Sequence, residues 1–312
     1  MQIDFIKCHG SGNDFIMVDT TAKPSDYDAV DWSSFARIAC DRHSGIGSDG
    51  VLLVVRHDDG IYGMDMLNPD GTHAEMCGNG IRCVGRLAQE RGYLHNSILR
   101  SGGRDYRVAT AEDIGEGVQS FAADIPIRTW SDDFAFFGKE ERFVGRVIEE
   151  LSADVEFTAL NLGNPHIVAR VDRIDMDLLT RLGERVKELR NVLPHGVNVS
   201  LYECRSRREL FVATFERGAG ITLSCGTAMT ASCTAATLLG LVDEGERIEV
   251  CNRGGKVYCS TRLDNNTIVT RLEGNATFEW YGSAEFDGVA LKWRTVRTTN
   301  EEEMWQRLRG SL

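Results

Sequence analysis

Residues 75–92, EMCGNGIRCVGRLAQERG, place one cysteine directly before a glycine and a helix. Ile81, Val84, Leu87 and Ala88 recur at helical spacing after Gly78-Asn79-Gly80, and Arg91-Gly92 supplies a basic last turn and a C′ glycine. Cys77 is thereby set at a helix N-terminus. Free backbone N–H groups and the positive end of the helix dipole favour an anion there, either a thiolate or a ligand carboxylate.

A second stretch, LSCGTAMTASCTAATLLG at 223–240, repeats the arrangement around Cys225-Gly226-Thr227. Cys77 and Cys225 lie 148 positions apart, as do the terminating Gly92 and Gly240, and as do Asn68 and Glu216, nine residues before each cysteine. GSGNDFIMVD with Asn13 matches LGNPHIVARVD with Asn164 at an offset of 151, and GIGSDGVLLV with Asp49 matches HGVNVSLYE with Asn198 at 149. Three ordered matches at nearly one offset argue for a duplicated unit. The expected division is 1–127, completed by a C-terminal segment 276–312, and 128–275.

The 312 residues suffice for two domains of ordinary size, and the composition is that of a globular protein. A net charge of −12 disfavours nucleic acid or an anionic membrane as partner, since both call for a basic face. The longest apolar run is Val51 to Val55, and Asp4 and Lys7 stand where a signal peptide needs an apolar core, so a cytoplasmic protein is expected. Nine cysteines in such a chain argue against a disulfide framework, and the Cys77/Cys83 and Cys225/Cys233 spacings are not those of a zinc knuckle, so no metal is expected. Cys40, Cys83, Cys233, Cys251 and Cys259 are expected as buried free thiols.

In chain order, short strands are expected around a Gly10-Ser11-Gly12-Asn13 turn, then an amphipathic helix over 31–42 and a glycine-rich loop, 43–50. Strands follow at 51–55 and 61–67, an NPDG turn at 68–71, the first cysteine helix, and strands near 97–101, 105–111 and 118–124. The pattern blurs over 126–141, as a connection between repeats would. The second half shows strands near 143–149, 155–160, 167–171, 197–203 and 210–215, with a helix over 177–190. Its cysteine helix is apolar nearly all round, which predicts burial inside a sheet that curls about it, completed by strands near 247–252, 256–262 and 266–272. Residues 299–310 read as one more helix, suited to packing or to contacts in a homodimer.

If the pseudo-twofold implied by the duplication brings the two helix starts face to face across a cleft, the pair of thiols suits racemisation. A carboxylate held by the N–H groups of Gly78, Asn79, Gly226 and Thr227 leaves one cysteine on each side of the attached carbon. One, as thiolate, removes the α-proton; the other, as thiol, returns a proton to the opposite face. The enolate charge is stabilised by the helix ends without a cofactor, and those ends are expected to lower the thiol pKa from about 8.5 toward working pH.

The stretches HGSGNDF (9–15), HSGIGSDG (43–50), LNPDGTHAEMCGNGIRC (67–83), GNPH (163–166), VNV (197–199) and ERGAGITLSCGT (216–227) together resemble the diaminopimelate epimerases, cofactor-independent enzymes that interconvert LL- and meso-diaminopimelate in lysine and peptidoglycan precursor synthesis. The resemblance implies Cys77 and Cys225 as the acid/base pair, with His166 and Glu216 tuning the thiols. It further implies that Asn13, Asn68, Asn164, Asn198, Glu216 and Arg217 hold the amino and distal carboxylate groups of the substrate, and that Gly78, Asn79, Gly226 and Thr227 cradle the reacting carboxylate. The implied fold is α/β (α+β): two pseudo-symmetric domains, each a mixed, mostly antiparallel, barrel-like sheet around a central helix, with the active site in the cleft between.

From the residues alone, His166 reads equally as a turn histidine, Asn68, Asn164 and Asn198 as turn formers, and Glu216-Arg217 as a surface pair. Departures from the family pattern are Ala228-Met229, where glycine is usual, Gly50, where some members place a substrate-contacting glutamine, and a tail beyond about residue 293. Rival readings are a racemase of the same fold acting on histidine, proline or hydroxyproline, and a non-enzymatic thiol or metal-binding protein. Arg217 and the asparagines argue against proline, which has no distal charged end.

Overall fold

A computed structural model of the chain describes residues 1–74, 76–115, 117–129, 134, 142–264 and 267–310. Most of the blurred stretch 126–141 lies outside these residues. The fold is mixed α/β and rich in sheet, and it divides into two compact units, 1–123 with 274–312, and 124–273. No described helix is long and apolar enough to cross a membrane.

The first unit contains β1 (Gln2–Gly10), β2 (Asn13–Asp19), α1 (Pro24–Tyr27), α2 (Trp32–Ala39), β3 (Gly50–Arg56), β4 (Tyr62–Leu67), β5 (His73–Ala74), α3 (Gly78–Arg91), β6 (Ile98–Ser101) and β7 (Arg104–Ala111). β8 (Ser120–Ile127) carries the chain into the second unit. That unit comprises β9 (Phe143–Ile148), β10 (Ser152–Asn161), β11 (Pro165–Arg170), α4 (Met176–Glu188), β12 (Asn198–Ser206), β13 (Glu209–Glu216), β14 (Gly220–Thr222), α5 (Gly226–Leu238), β15 (Ile248–Asn252) and β16 (Gly255–Asp264). β17 (Thr267–Asn275) leads back to β18 (Thr277–Phe286), β19 (Leu291–Thr298) and α6 (Glu301–Arg309) of the first unit.

The two units repeat one pairing scheme. β1 and β2 are antiparallel, β2 and β3 parallel across α2, β3 and β4 antiparallel; β4 then pairs antiparallel with β5 and parallel with β6 across α3. In the second unit β10/β11, β11/β12 across α4, β12/β13, β13/β14 and β13/β15 across α5 follow in the same order and the same senses.

Strand alternation decides which helix each side chain meets. Ile16, Val18, Val51 and Leu53 join Phe35 and Ala36 of α2 in one core, while Ile167, Ala169, Val199 and Leu201 join Leu179, Leu182 and Val186 of α4 in another. The opposite parity, Asn13 and Phe15 on β2 and His166 and Val168 on β11, is thereby turned from α2 and α4. Both cysteine helices are buried, α3 from Gly78 to Ala88 and α5 from Gly226 to Thr237. In α3 the sheet approaches so closely that a Cβ on Gly80 would meet Leu52 Cδ2 at 2.8 Å. Four hydroxyls of α5 bond within the helix: Thr230, Ser232, Thr234 and Thr237 donate to the carbonyls of Gly226, Ala228, Thr230 and Cys233.

Several elements differ from the sequence reading. α2 stops at Ala39 because Asp41 Oδ1 takes the N–H groups of His43 and Ser44 into a turn. The short α1, β5 and β14 carry too few residues for a periodic signal. β19 is exposed along nearly its whole length, so no buried face marks it, and β18 likewise escapes the expected strand list. The tail helix occupies Glu301–Arg309, within the expected span.

Candidate active site

Cys77 and Cys225 are the N-cap residues of α3 and α5, with φ/ψ of −133°/112° and −131°/106°. Their carbonyls accept the first helical bonds, from Ile81 N at 2.9 Å and Met229 N at 3.0 Å. Each helix closes at a left-handed glycine, Gly92 and Gly240, with the following amide reaching back to Ala88 O and Ala236 O. Ala228 and Met229 are fully buried and leave this helix start in the conformation found at Cys77.

In the first unit, Gly80 N donates to Cys77 Sγ at 3.3 Å, and the thiol lies 3.7 Å from Asn13 Oδ1. Asn13 Oδ1 also accepts Asn79 Nδ2 at 3.3 Å, and Asn13 Nδ2 donates to Asp49 Oδ2 at 2.8 Å. Asn13 follows a two-residue hairpin loop in which Ser11 and Gly12 both have positive φ, as a type I′ turn requires. Arg82, fully buried, donates to Gly78 O at 2.8 Å, Asn79 Oδ1 at 3.0 Å, Ser11 Oγ at 3.1 Å and Asn275 O at 3.2 Å.

In the second unit, Cys225 Sγ lies 3.5 Å from Thr227 Oγ1. Thr227 Oγ1 is 3.1 Å from His166 Nε2 and accepts Asn164 Nδ2 at 3.3 Å, while His166 Nε2 stands 3.0 Å from Asn164 Oδ1. Asn198 Oδ1 accepts Arg217 N at 2.8 Å, and its amide nitrogen stands 3.5 Å from His166 Nε2. Glu216 ends β13, where its Oε1 accepts Thr222 Oγ1 at 2.5 Å, and the exposed Arg217 donates to His195 O at 2.7 Å. Asn68 stays within its own turn, donating to Thr72 Oγ1 at 3.0 Å; no described bond joins it to Cys77 or Asn13.

The electrostatics depart from expectation. Burial pushes the Cys77 thiol up to about 11, against the N–H groups of Gly80 and Asn79, which favour the thiolate. Burial and then the charge of Glu216 push Cys225 well above its ordinary range. The helix ends do act in the expected sense at Cys77, but desolvation of the anion outweighs them, so both thiols are protonated in the ligand-free chain. His166 is lowered to about 3, by burial first and the Arg217 charge second, and is neutral. The Asn164 Oδ1 acceptor places the proton on Nε2, where it serves Asn164 and Thr227, while the buried Nδ1 has no hydrogen-bond partner among the described residues.

Each of the nine cysteines is a free thiol. Among the described residues no three His, Cys, Asp or Glu side chains gather as metal ligands would. Gly50 opens β3, where a Cβ would meet Leu67 O at 2.8 Å, so a glutamine at this position has no room without a shift. Sequence reasoning missed Asp49, Arg82, Ser11 and Asn275. Asp49 carries a signal, since it falls where Asn198 falls in the repeat; Arg82 carries none, being one of several charges in a helical pattern.

By fold, the chain falls in a class that includes solved racemases and epimerases. It matches the probable proline racemase of Agrobacterium radiobacter with a TM-score of 0.59 at 15% identity, over 99% of this chain and 100% of that one. A hydroxyproline epimerase of Agrobacterium vitis matches with 0.61 at 13%, over 95% and 92%, and a PhzF-family phenazine biosynthesis protein of Bacillus anthracis with 0.62 at 14%, over 92% and 100%.

The sequence relationship is more particular. The profile of the family described as diaminopimelate epimerase matches residues 5–113 and 158–279. Diaminopimelate epimerase of Clostridium acetobutylicum is 36% identical over 97% of this chain and 92% of its own length, and that of Listeria monocytogenes is 33% identical over 98% and 95%. The chain belongs to the diaminopimelate epimerase family, a family of isomerases.

Proposed function

We propose that the protein epimerises LL-diaminopimelate to the meso form by a two-base mechanism in which Cys77 and Cys225 act on opposite faces of one α-carbon. The observation that carries this reading is the pair of cysteines at the N-cap positions of two buried helices, with nearly one backbone geometry. Each sulfur stands at a helix N-terminus, whose backbone N–H groups are able to take a carboxylate. A thiol protonated at rest needs a partner to take its proton before it can act as a base; the charge of Glu216 next to Cys225 suits that exchange, with the proton passing from sulfur to carboxylate. The thiolate then takes the α-proton, and the opposite thiol delivers its own to the other face. The enolate charge in between is met by preorganised N–H dipoles rather than by water.

In this reading Asn13, Asn79, Asn164 and Thr227 hold the reacting end of the substrate. His166, neutral and held beneath Thr227, orients Asn164 and Thr227 instead of exchanging protons itself. Asn68, Asn198 and Arg217 address the distal amino and carboxylate groups, a charged end that proline lacks. The mechanism requires no prosthetic group, and the product serves lysine and peptidoglycan precursor synthesis in the cytoplasm. The active unit is taken to be a homodimer, with each chain carrying both thiols.

The test is proton NMR of the purified protein in deuterated water with LL-diaminopimelate, proline, hydroxyproline and histidine in parallel. Loss of the α-hydrogen signal is expected for diaminopimelate alone. Exchange confined to a different amino acid, or none with any, would sink the proposal.

A further inference from the structure

Residues beyond 279, where the family profile ends, form most of β18, β19 and α6, and α6 is tied closely to the first unit. Glu301 grips the buried Arg86 of α3 with bonds of 2.5 and 2.8 Å, and Trp305, 1% exposed, packs its ring 5.4 Å from that of His9. Glu302 Oε2 lies 2.8 Å from His9 Nε2. With Nε2–H donating to the carboxylate, Nδ1 is left bare. Two donors meet it there, Asn275 Nδ2 at 3.1 Å and Gly12 N at 3.3 Å. Asn275 in turn accepts Ser11 N on its Oδ1 at 2.7 Å.

Ser11 and Gly12 are the left-handed loop whose next residue, Asn13, faces Cys77 Sγ. A left-handed serine is strained and persists only where its surroundings hold it. We propose that α6 is a positioning element for the Cys77 half-site. Glu302 fixes the tautomer of His9, His9 and Asn275 hold the Ser11-Gly12 loop, and the loop sets Asn13 against the thiol. A carboxylate that fixes the tautomer of a histidine serving other groups is a recurring device. Without Glu302, His9 gains access to the Nδ1–H tautomer, which opposes the donors of Asn275 and Gly12 and loosens the loop. The inference rests on the function proposed above for its catalytic consequence, though not for its mechanical one.

The test compares the full-length protein with Glu302→Ala and Glu302→Gln; glutamine keeps an oxygen able to accept His9 Nε2–H. Amide hydrogen exchange of peptides covering 9–15 is measured together with kcat and KM for LL-diaminopimelate. Glu302→Ala is expected to speed exchange at 9–15 and leave 104–111 unchanged. It should lower kcat about five- to tenfold with KM within about twofold, the scale of a small misplacement at a reacting group. Glu302→Gln should restore both. Unchanged exchange at 9–15, or faster exchange with unaltered kcat, overturns the inference. If the wild-type protein turns over no amino acid, the functional proposal fails, and the exchange data alone then decide whether α6 holds the loop.

Discussion

Cys77 and Cys225 share a backbone conformation to within a few degrees, and the N–H three positions on, Gly80 and Ala228, favours each thiolate, but only the second sulfur also meets Thr227 Oγ1 and the charge of Glu216. The two sites therefore hold the thiolate unequally. Backbone N–H donors favour it at both, from Gly80 and Asn79 at Cys77 and from Ala228 at Cys225, and a neighbouring carboxylate, Glu216, disfavours it at Cys225.

The order of thiol reactivity follows from that difference. In the ligand-free protein, iodoacetamide should modify Cys77 faster than Cys225 at every pH from 7 to 10. The Cys77 rate should rise about tenfold per pH unit without reaching a plateau below pH 10, because burial pushes that thiol to about 11. Peptide mapping by mass spectrometry measures both rates. A plateau below pH 9, or faster labelling of Cys225, contradicts the assigned electrostatics.

His166 gives a pH dependence of stability with a definite sign. Its folded pKa, about 3, lies below the unfolded value of 6.5, so the unfolded chain binds a proton that the folded chain refuses. The contribution is fully present above pH 6.5 and is lost as pH falls toward 3, by about 3 kcal/mol between pH 7 and pH 4. His166→Gln should flatten the fall by that amount in urea unfolding at the two pH values. Parallel pH slopes for the two proteins would show that His166 is protonated when folded.

Gly50 is set by space. A Cβ there meets Leu67 O at 2.8 Å, a backbone atom that cannot step aside cheaply. Gly50→Gln is expected to destabilise the first unit by about 1–3 kcal/mol in denaturant unfolding. A neutral or stabilising substitution would show that β3 and β4 relax to accept the side chain.

Arg217 is expected to act on binding more than on turnover. Its side chain is exposed, so removing it leaves no buried group unpaired in the free protein. Arg217→Ala should raise KM for LL-diaminopimelate about tenfold or more with kcat changed less than about threefold, the pattern of a contact made equally in the ground and transition states. A fall confined to kcat in steady-state assays argues against a distal-carboxylate role.

Much of this architecture is legible in the sequence because its strongest signals are local. A cysteine before glycine, an apolar run and a C′ glycine mark both α3 and α5, and their equal spacing marks the duplication. Residues whose importance comes from tertiary contacts are not legible in that way. Arg82 reads as one charge in a helical pattern, and only the folded chain brings Ser11 and Asn275 to it. The helix dipole alone gives the wrong direction for the thiol pKa values, because it leaves out the desolvation that burial imposes on a thiolate. Asn68 illustrates the converse, an asparagine in a turn whose described bonds are the turn's own.

The most direct measurement of the two-thiol mechanism is the rate of epimerisation of LL-diaminopimelate by Cys77→Ala and Cys225→Ala proteins whose circular dichroism matches the parent. Each single replacement is expected to lower kcat by about 1,000-fold or more, since inversion needs both a proton acceptor and a proton donor. Either variant retaining more than a tenth of parental kcat would contradict it.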